Sequence, residues 1–395
     1  MILQILFWLF FAVLFYTYAG YALLLTLLVR LKAWCCPAPR ISRKENFEPP
    51  VCLFVTAYNE KDFAEQKVSN SFKLDYPSEK VQYIWVTDGS DDGTPDLLRR
   101  YPQVEVYHQP GRRGKIDAMN RGMQFVRAPL VIFSDANTRL SPNTIRDMVD
   151  CFRDPKVGCV AGEKRIVQKH AETAAAAGEG FYWRMESWIK KMDAQLNSAM
   201  GGVGELFAIR TELFEPVEKD TILDDFIITL RIAAKGYRIE YTPYAYAEET
   251  ASLNVKEELK RKIRIAAGGV QAMTRLWPLL NPFRYGVLSW QYFSHKVLRW
   301  TLAPLSLPLF LLVNLLLVWS SGNWNPSSFY AAALYFQSFC YLMALAGWLF
   351  ENKKLRWKIL FVPFYFVSIN YASLRGIFRF LKGKQTVNWE KSKRA

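Results

Sequence analysis

Two long stretches without a charged side chain constrain this sequence more than any other feature. Residues 1–29 contain no Asp, Glu, Lys or Arg, and neither do the 51 residues from Trp300 to Phe350. A helix needs about 20 apolar residues to cross a bilayer, so we expect one crossing from the first stretch and two from the second. The sequence therefore excludes a purely soluble protein. Few polar side chains interrupt these stretches, which argues against a transporter.

The apolar stretches divide the chain into segments. Residues 1–30 are predicted to form an uncleaved transmembrane anchor, because the apolar run is too long for the core of a signal peptide. Residues 301–350 are predicted to form two transmembrane helices. Residues 266–300 mix aromatic, aliphatic and basic side chains, which favours an interfacial amphipathic segment, with a buried core helix as the alternative. Residues 351–395 are expected to form an interfacial, re-entrant or third transmembrane helix and a basic tail.

The distribution of positive charge predicts the orientation in the membrane. The net charge is +15, and several basic residues directly follow the first apolar stretch: Arg30, Lys32, Arg40, Arg43 and Lys44. Because Lys and Arg near helix ends stay on the cytoplasmic side, we expect the N-terminus outside and the middle of the chain in the cytoplasm, at a cell inner or plasma membrane. No zinc-finger spacing or RNP motif is present, so lipid headgroups are the expected partners of this charge and nucleic acid is not. No pattern indicates an oligomeric state.

Residues 48–265 alternate short β-rich runs with helical stretches. This order predicts an α/β domain with a mostly parallel sheet and crossover helices, as in Rossmann-like folds. The predicted strands are Val51–Thr56, Val81–Thr87, Val104–Tyr107 and Pro129–Ser134, and the predicted helices between them are Asp62–Lys73, Pro95–Arg100 and Lys115–Val126.

Three of the predicted strands are followed by polar loops, namely Ala57–Glu60, Asp88–Thr94 and Asp135–Thr138. The carboxyl ends of parallel strands meet at one edge of a sheet, where ligands bind. Any one loop could be an ordinary turn or helix cap, but three on one edge predict a binding site. Neither GxGxxG nor GxxxxGK[ST] is present, so neither of these phosphate-binding modes applies.

These loops carry side chains suited to a nucleotide and a divalent cation. The carboxylate of Asp88 can accept a hydrogen bond from the imide N–H of uracil. Asp135 and Asn137 offer hard oxygen ligands that suit Mg2+ or Mn2+, and such an ion would offset the charge of a diphosphate. Lys115 opens a predicted helix, where a phosphate is favoured, although an ordinary helix-start lysine is the alternative.

Six motifs occur in order along the middle of the chain: VTAYNE, VTDGSDDGT, GKIDAMNRG, FSDANT, GVGELFAIR and LDDF. Together they resemble the processive and lipid-linked members of glycosyltransferase family 2, a group that includes cellulose, chitin and hyaluronan synthases. The resemblance extends from about Val51 to Arg264. It implies a GT-A fold, a nucleotide-sugar donor that is usually UDP-linked, Mg2+ or Mn2+ as cofactor, and inversion at the anomeric carbon.

The resemblance also assigns roles to individual residues. Asp225 matches the catalytic base, and Asp224 is a second candidate whose alternative role is to cap the helix predicted to run to Ala234. Asp135 matches the first position of the DxD metal motif, whereas Asn137 occupies the second and is a weaker, neutral ligand. The remaining candidates are Tyr58, Glu60, Asp88, Lys115 and Arg264 for the nucleotide sugar, and Gly204, Glu205 and Arg261 on the acceptor side.

One departure from the family pattern bears on the acceptor. Residues 260–265 read KRKIRI, where the polymerases of the family carry Q-x-x-R-W. Arg264 takes the arginine position, while Arg261 and Ile265 replace the glutamine and the tryptophan. The tryptophan supplies a stacking surface for the acceptor sugar in the polymerases. The absence of this tryptophan favours a lipid-linked or otherwise apolar acceptor without excluding polymerisation. The alternative interpretation of residues 260–265 is a basic patch that faces the membrane.

The sequence therefore predicts an inverting membrane hexosyltransferase. Its donor would be a nucleotide sugar, and its acceptor a growing polysaccharide or a membrane glycolipid. A lipid glycosyltransferase that adds a single sugar is the alternative enzyme. A noncatalytic sensor of nucleotide sugars in the membrane is the alternative from another class of protein.

Overall fold

The computed structural model describes residues 1–35, 47–167, 174–250, 255–350 and 358–383. Within these residues one sheet has eight strands in the order β3-β2-β1-β4-β7-β6-β8-β5, and all are parallel except β7 and β5. The predicted α/β fold with a mostly parallel sheet is confirmed. The strands are β1 (Val51–Ala57), β2 (Val81–Asp88), β3 (Val104–Gln109), β4 (Leu130–Asp135), β5 (Arg139–Leu140), β6 (Val157–Val167), β7 (Leu206–Arg210) and β8 (Arg238–Thr250).

Helices cover both faces of the sheet and continue into the apolar parts of the chain. The four predicted strands and three predicted helices before residue 136 all begin within one residue of their expected positions. The helices are α1 (Ile2–Phe15), α2 (Tyr21–Cys35), α3 (Lys61–Phe72), α4 (Thr94–Leu98), α5 (Lys115–Met123), α6 (Thr144–Cys151), α7 (Ala174–Leu196), α8 (Asp224–Ala234), α9 (Val255–Arg275), α10 (Pro282–Tyr285), α11 (Val287–Tyr292), α12 (Leu298–Trp300), α13 (Leu302–Ser321), α14 (Phe329–Leu349) and α15 (Lys358–Leu381).

The central strands are apolar on both faces because both faces are covered. On β1, Cys52 and Phe54 belong to the core under α5 and α8, whereas Leu53 and Val55 belong to the core under α3 and α6. Successive side chains of a strand point to opposite faces, so a continuous apolar run is what a two-sided sheet requires. Thr56 pairs with Asp135 of β4, and Ala57 pairs with Thr87 of β2. The three strands therefore end at the same edge.

Three helical segments are long and apolar enough to cross a membrane: Ile2–Cys35, Leu302–Ser321 and Phe329–Leu349. They match the two uncharged stretches of the sequence. In the first segment, α1 and α2 are continuous through a π-helical turn, and Phe7 packs against Phe310 and Tyr330 at ring distances of 4.8 and 5.1 Å. The orientation of these helices stays a prediction. Part of its basis lies outside the described residues, namely Arg40, Arg43, Lys44 and the basic tail from Lys384 onward.

Helix α9 runs without interruption through the boundary that we predicted between residues 265 and 266. The segment after it forms short helical turns rather than one long helix. Leu279, Leu288 and Tyr292 belong to the core of the α/β domain, while Trp277 and Phe283 are largely exposed. The segment thus has both a side buried in the core, as the alternative interpretation of a buried core helix expects, and an exposed aromatic side. Its interfacial location stays a prediction.

The last apolar run forms a single helix, α15, which packs along α9. Gly376 allows this close approach, because a Cβ atom there would lie 2.5 Å from Ala266 Cβ and 2.8 Å from Ala267 N. Helix α9 carries Arg264, so α15 supports the helix that supplies a candidate donor-binding residue. Whether α15 crosses a membrane stays a prediction.

We expect Gly376→Leu to separate α15 from α9. Forcing a large side chain into a filled contact typically costs about 1–3 kcal/mol, and here part of the obstacle is backbone. Thermal unfolding of the protein in detergent should show a lower Tm for this variant. Phe378→Leu is a suitable control because Phe378 is 55% exposed on the same helix. Equal Tm values for the two variants would contradict this account of the helix contact.

Candidate active site

The loops after β1 and β2 are bound directly to each other. Asn59 Nδ2 donates to Asp91 Oδ1 at 2.8 Å, and the Asp91 N–H donates back to Asn59 Oδ1 at 3.0 Å. Asn59 has a φ of +51°, a left-handed conformation that Asn adopts more readily than most residues. The two loops thus form one rim at the carboxyl edge of the sheet.

Asp88, at the end of β2, is fixed by backbone donors. Its Oδ2 accepts hydrogen bonds from Arg113 N at 2.9 Å and from Gly114 N at 2.6 Å. Its Oδ1 is buried and has no hydrogen-bond partner among the residues that the structure describes. An unpaired buried acceptor costs free energy, and a donor from a ligand would satisfy it. The geometry therefore suits the predicted contact of Asp88 with the N–H of a base.

Tyr58 lies beneath a guanidinium group that the sequence analysis did not identify. Arg112 Cζ is 3.8 Å from the centre of the Tyr58 ring, a cation–π contact. Gly89 permits it, since a Cβ atom at this position, where φ is +69°, would lie 2.7 Å from Arg112 Cβ. Glu60 is buried at the start of α3, and its N–H donates to Thr94 Oγ1 at 3.1 Å. Both predicted residues are on the rim beside Asp88.

Lys115 joins three parts of the site. Its Nζ lies 3.0 Å from Asp135 Oδ1, at the end of β4, and 3.2 Å from Asp224 Oδ2, at the start of α8. Burial disfavours its charge, but the carboxylates of Asp135 and Asp224 outweigh burial and raise the pKa of Lys115 above its ordinary value. Gly114, just before Lys115, is the residue held by Asp88. One set of contacts therefore links Asp88, Asp135 and Asp224.

The two adjacent aspartates of α8 face different neighbours. Asp224 faces Lys115, whereas a methyl group at Gly204 would lie 3.6 Å from Asp225 Oδ2. Successive residues of a helix point about 100° apart, which accounts for the difference. Thr229 Oγ1 donates to Asp225 O at 2.6 Å and accepts from Gly202 N at 2.9 Å, and these bonds hold the loop against the helix.

The carboxyl group of Asp225 has a pKa suited to accepting a proton near neutral pH. Burial, followed by the neighbouring charge of Asp224, raises its pKa to about 6, while Lys190 and Lys115 act in the opposite direction. Lys190 is itself buried and donates to Gly202 O at 2.8 Å, behind the loop that faces Asp225. A general base works best when its pKa lies near the working pH.

On the predicted acceptor side, Glu205 forms an ion pair with the buried Lys164, which also pairs with Glu249. Burial opposes the charge of Glu205, but Lys164 holds its pKa down to about 2. Glu205 is therefore an anchored anion. Arg261 pairs with Glu258 at 3.0 Å.

An aromatic side chain that the sequence analysis did not identify lies beside this cluster. The ring centre of Trp183 is 5.2 Å from Lys164 Nζ and 5.7 Å from Lys262 Nζ. Trp183 belongs to α7, and its sequence context carries no motif. Its position next to the predicted acceptor side depends on how α7 and α9 pack against the sheet.

Arg264 of α9 is half-buried near the carboxylates of the site. Burial and the neighbouring Arg261 lower its pKa from the ordinary value, and the carboxylates of Asp224 and Asp135 act in the opposite direction. A guanidinium stays charged under these conditions because its ordinary pKa is so high. Arg264 is thus a permanent positive charge on the same side of the sheet as Lys115.

The candidate metal ligands are few. Asn137 Nδ2 lies 3.5 Å from Glu249 Oε1, and an Asp at position 137 would place two carboxylates side by side. Among the described residues, no group of three His, Cys, Asp or Glu is arranged to hold a metal ion. Asp135 is nonetheless 31% exposed and already attracts a cation, the ammonium of Lys115. This donor set fits Mg2+ or Mn2+ when a bound diphosphate supplies the other oxygens, as such ions often require.

Three buried lysines are further functional candidates that the sequence did not reveal: Lys67, Lys164 and Lys190. Lys67 had a detectable signal, because it lies on the buried stripe of α3 with Ala64, Val68 and Ser71 at helical spacing. A lysine inside such a stripe requires polar partners in the interior.

The sequence profile of the family described as Glycosyltransferase like family 2 matches residues 49–268, more than half of the chain. The chain therefore belongs to this family. A beta-monoglucosyldiacylglycerol synthase from Trichormus variabilis is 24% identical over 274 residues, which cover 66% of this chain and 58% of that protein. A poly-beta-1,6-N-acetyl-D-glucosamine synthase from Staphylococcus aureus is 27% identical over 232 residues, which cover 57% and 56% of the two chains.

A solved structure shares the fold. It is a mannosyltransferase from Pyrobaculum calidifontis in complex with GDP-Man and Mn2+, with a TM-score of 0.70 and 22% identity. The alignment covers 97% of this chain and 100% of the mannosyltransferase. The predicted GT-A fold is confirmed by this likeness together with the family match. The matches to the two synthases span less than 60% of the length of each.

Proposed function

We propose that this protein is an inverting hexosyltransferase that moves a sugar from a nucleotide sugar, with UDP as the carrier, to a growing polysaccharide or a membrane glycolipid. Family membership supports the reaction class. The named products of the two synthases support these two classes of acceptor. One observation carries the proposal: Lys115 bridges Asp135 and Asp224, and the residue before Lys115 is held by Asp88.

In this proposal, donor and acceptor bind on opposite sides of the Asp224–Asp225 pair. Asp88 accepts from the base, Tyr58 and Glu60 lie along the nucleotide, and Lys115 and Arg264 face the diphosphate. Asp88 and Asp135 lie on strands separated by β1 alone, roughly 10 Å apart across the sheet. At this separation, the base of one nucleotide can contact Asp88 while its diphosphate lies near Asp135.

The reaction follows from these positions. Asp225 accepts the proton of the acceptor hydroxyl while the hydroxyl oxygen forms a bond to the anomeric carbon. The bond from that carbon to the diphosphate oxygen breaks on the opposite face, so the configuration inverts and a nucleoside diphosphate leaves. Lys115 and Arg264 stabilise the negative charge that develops on the leaving group.

A divalent cation, Mg2+ or Mn2+, would assist at the diphosphate. Asp135 and Asn137 would hold it, and it would neutralise charge on the leaving group. The Mn2+ that accompanies GDP-Man in the mannosyltransferase complex supports this part of the proposal. Because the protein supplies few ligands, we expect firm cation binding only when a nucleoside diphosphate is also bound.

The acceptor would approach from the side of Gly204, Glu205 and Arg261. Glu205 is anchored by Lys164, so it offers a fixed charge for hydroxyl groups of the acceptor. Ile265, where the family's polymerases have tryptophan, and the three apolar helical segments support an acceptor close to a bilayer. We place the catalytic domain on the cytoplasmic side of an inner or plasma membrane, with the N-terminus outside.

The direct test is a screen of nucleotide sugars. Purified protein in lipid nanodiscs is incubated with UDP- and GDP-linked sugars and Mn2+ or Mg2+, and release of nucleoside diphosphate is measured. We expect turnover with a UDP-sugar. Turnover with a GDP-sugar alone would overturn the UDP assignment, and binding of nucleotide sugars without turnover with any of them would favour the sensor.

Product length separates the two enzyme alternatives. With a radiolabelled donor, a polymerase gives products of many sugar units, whereas a single-addition enzyme gives one sugar on an extractable lipid. Anomeric configuration, measured by NMR on the same product, tests inversion. Retained configuration would refute the single displacement in which Asp225 serves as the base.

The pKa of Asp225 predicts the pH dependence of transfer. A base with a pKa of about 6 becomes protonated as the pH falls through that value, so kcat/KM should fall about fivefold between pH 6 and 5 and about tenfold per pH unit at still lower pH. Lys115, whose pKa is raised, should keep its charge at the alkaline end and should itself cause no loss up to pH 9. The profile is measured at saturating metal, with thermal unfolding at each pH as the control. A flat rate from pH 7 to 5 would contradict the assignment.

A further inference from the structure

Lys67 of α3 is a deeply buried lysine near the sheet edge that is not used in the proposed reaction. It is 2% exposed and donates three hydrogen bonds to one short segment of chain. The acceptors are Ser134 Oγ at 2.7 Å, Thr138 O at 2.9 Å and Thr138 Oγ1 at 3.1 Å. All three lie within five residues of sequence that contain both candidate metal ligands.

These hydrogen bonds close the segment into a compact loop. Ser134 precedes Asp135, and Thr138 follows Asn137, so the ammonium of Lys67 ties the two ends together. Thr138 Oγ1 also donates to Asp135 O at 2.9 Å and lies 3.3 Å from Ser134 Oγ. The backbone between the two ends therefore has little freedom, and the side chains of Asp135 and Asn137 keep a fixed relative position.

The burial of Lys67 is costly. Burial lowers its pKa to about 7 although the charge of Asp135 acts in the opposite direction, and no acceptor of its three hydrogen bonds is a carboxylate. An apolar side chain would fit the same position in the buried stripe of α3 without this cost. However, an apolar residue could not form the hydrogen bonds that the ammonium donates to the loop.

Asn70 makes it possible to distinguish closure of the loop by Lys67 from the general attachment of α3 to the chain after β4. Asn70, nearly one turn further along α3, clamps the same stretch of chain at Leu140 through two hydrogen bonds of 3.1 and 2.7 Å. Its contacts lie beyond Thr138 and do not enclose Asp135. Lys67 and Asn70 thus both attach α3 to the chain after β4, but only Lys67 closes the loop.

We propose that Lys67 is a positioning residue for the cation and diphosphate, holding Asp135 and Asn137 in the arrangement that binds them together. This inference rests on the proposed function, since it assumes that the two residues hold a cation. Groups that orient metal ligands from behind typically contribute 10- to 100-fold to metal affinity. Lys67 would act through the loop without touching the ion or the donor.

The test is the affinity for Mn2+ measured by electron paramagnetic resonance, with UDP and with GDP at a fixed concentration. Lys67→Met should weaken Mn2+ binding about tenfold. At saturating Mn2+, its kcat should stay within about threefold of wild type, since the side chains that contact the substrate are unchanged. Asn70→Leu, the matched control, should lower the Tm but leave Mn2+ affinity unchanged.

Two milder variants keep the test decisive if Lys67→Met does not fold. Ser134→Ala and Thr138→Val each remove an acceptor of Lys67, and each should weaken Mn2+ binding by a smaller factor in the same direction. Unchanged affinity in the folded variants would overturn the inference, as would an equal loss in Asn70→Leu. If wild-type protein binds no Mn2+ with either nucleotide, the proposed cation site fails instead.

Discussion

Asp225→Asn is expected to reduce sugar transfer by about 10²- to 10⁴-fold, the range that a positioned general base contributes. Asn is nearly the same size as Asp but cannot accept the acceptor's proton. The contacts proposed for the nucleotide, at Asp88 and Lys115, are unchanged. Donor binding, measured by isothermal titration with a nucleotide sugar, should therefore stay within about threefold of wild type.

Asp224→Asn provides the matched comparison, because it removes the adjacent carboxylate from the same helix. Asp224 lies 3.2 Å from Lys115, so this variant should disturb the donor side and raise the KM for the nucleotide sugar. Removing its charge should also lower the pKa of Asp225, which moves the acid limb of the pH profile to lower pH. If Asp224→Asn abolishes transfer while Asp225→Asn remains active, the two roles must be exchanged.

Asp135→Ala should have the second largest effect. The change removes the only charged candidate ligand for the cation, together with one of the two partners of Lys115. A cation on the leaving group is worth several kcal/mol, so we expect transfer to fall by about 10²- to 10³-fold. Titrations of Mn2+ and Mg2+ against transfer rate, and of nucleotide against protein with and without metal, measure the effect.

For Asp135→Ala, loss of metal dependence tests the role of Asp135 as a cation ligand more directly than loss of rate does. Nucleotide affinity of Asp135→Ala in the presence of Mn2+ should fall to the value that wild type shows without metal. Asp96→Ala, at a carboxylate on α4 that is 79% exposed, serves as the control for removing a negative charge. An unaltered metal requirement in Asp135→Ala would remove Asp135 from the cation site.

The local parts of the site were predictable because they depend on residues close together in sequence. The loops after β1, β2 and β4 contain polar residues directly after apolar runs, and parallel strands bring such ends to one edge. The lysine that opens α5 was recognisable for the same reason. Three apolar helical segments were predictable by comparing the lengths of the uncharged stretches with the thickness of a bilayer.

The predicted boundary between residues 265 and 266 shows what a change in composition leaves open. The change from a charged to an aromatic sequence at that point indicated a boundary, yet α9 continues across it. A helix can continue while the character of its surface changes. Helix α9 can face the α/β core along part of its length and α15 along another part. A boundary based on composition therefore does not mark the end of a helix.

What the sequence determined by itself is the architecture: an α/β sheet with one polar edge, and apolar helical segments on both sides of it. These features arise from periodicity and from runs of like residues, which act over a few residues at a time. Only the tertiary structure decided that Asp224 faces Lys115 while Asp225 faces Gly204, and that Lys67 lies behind the loop of Asp135. Those placements depend on contacts between segments that are far apart in the chain. The contacts form only when the helices pack on the sheet.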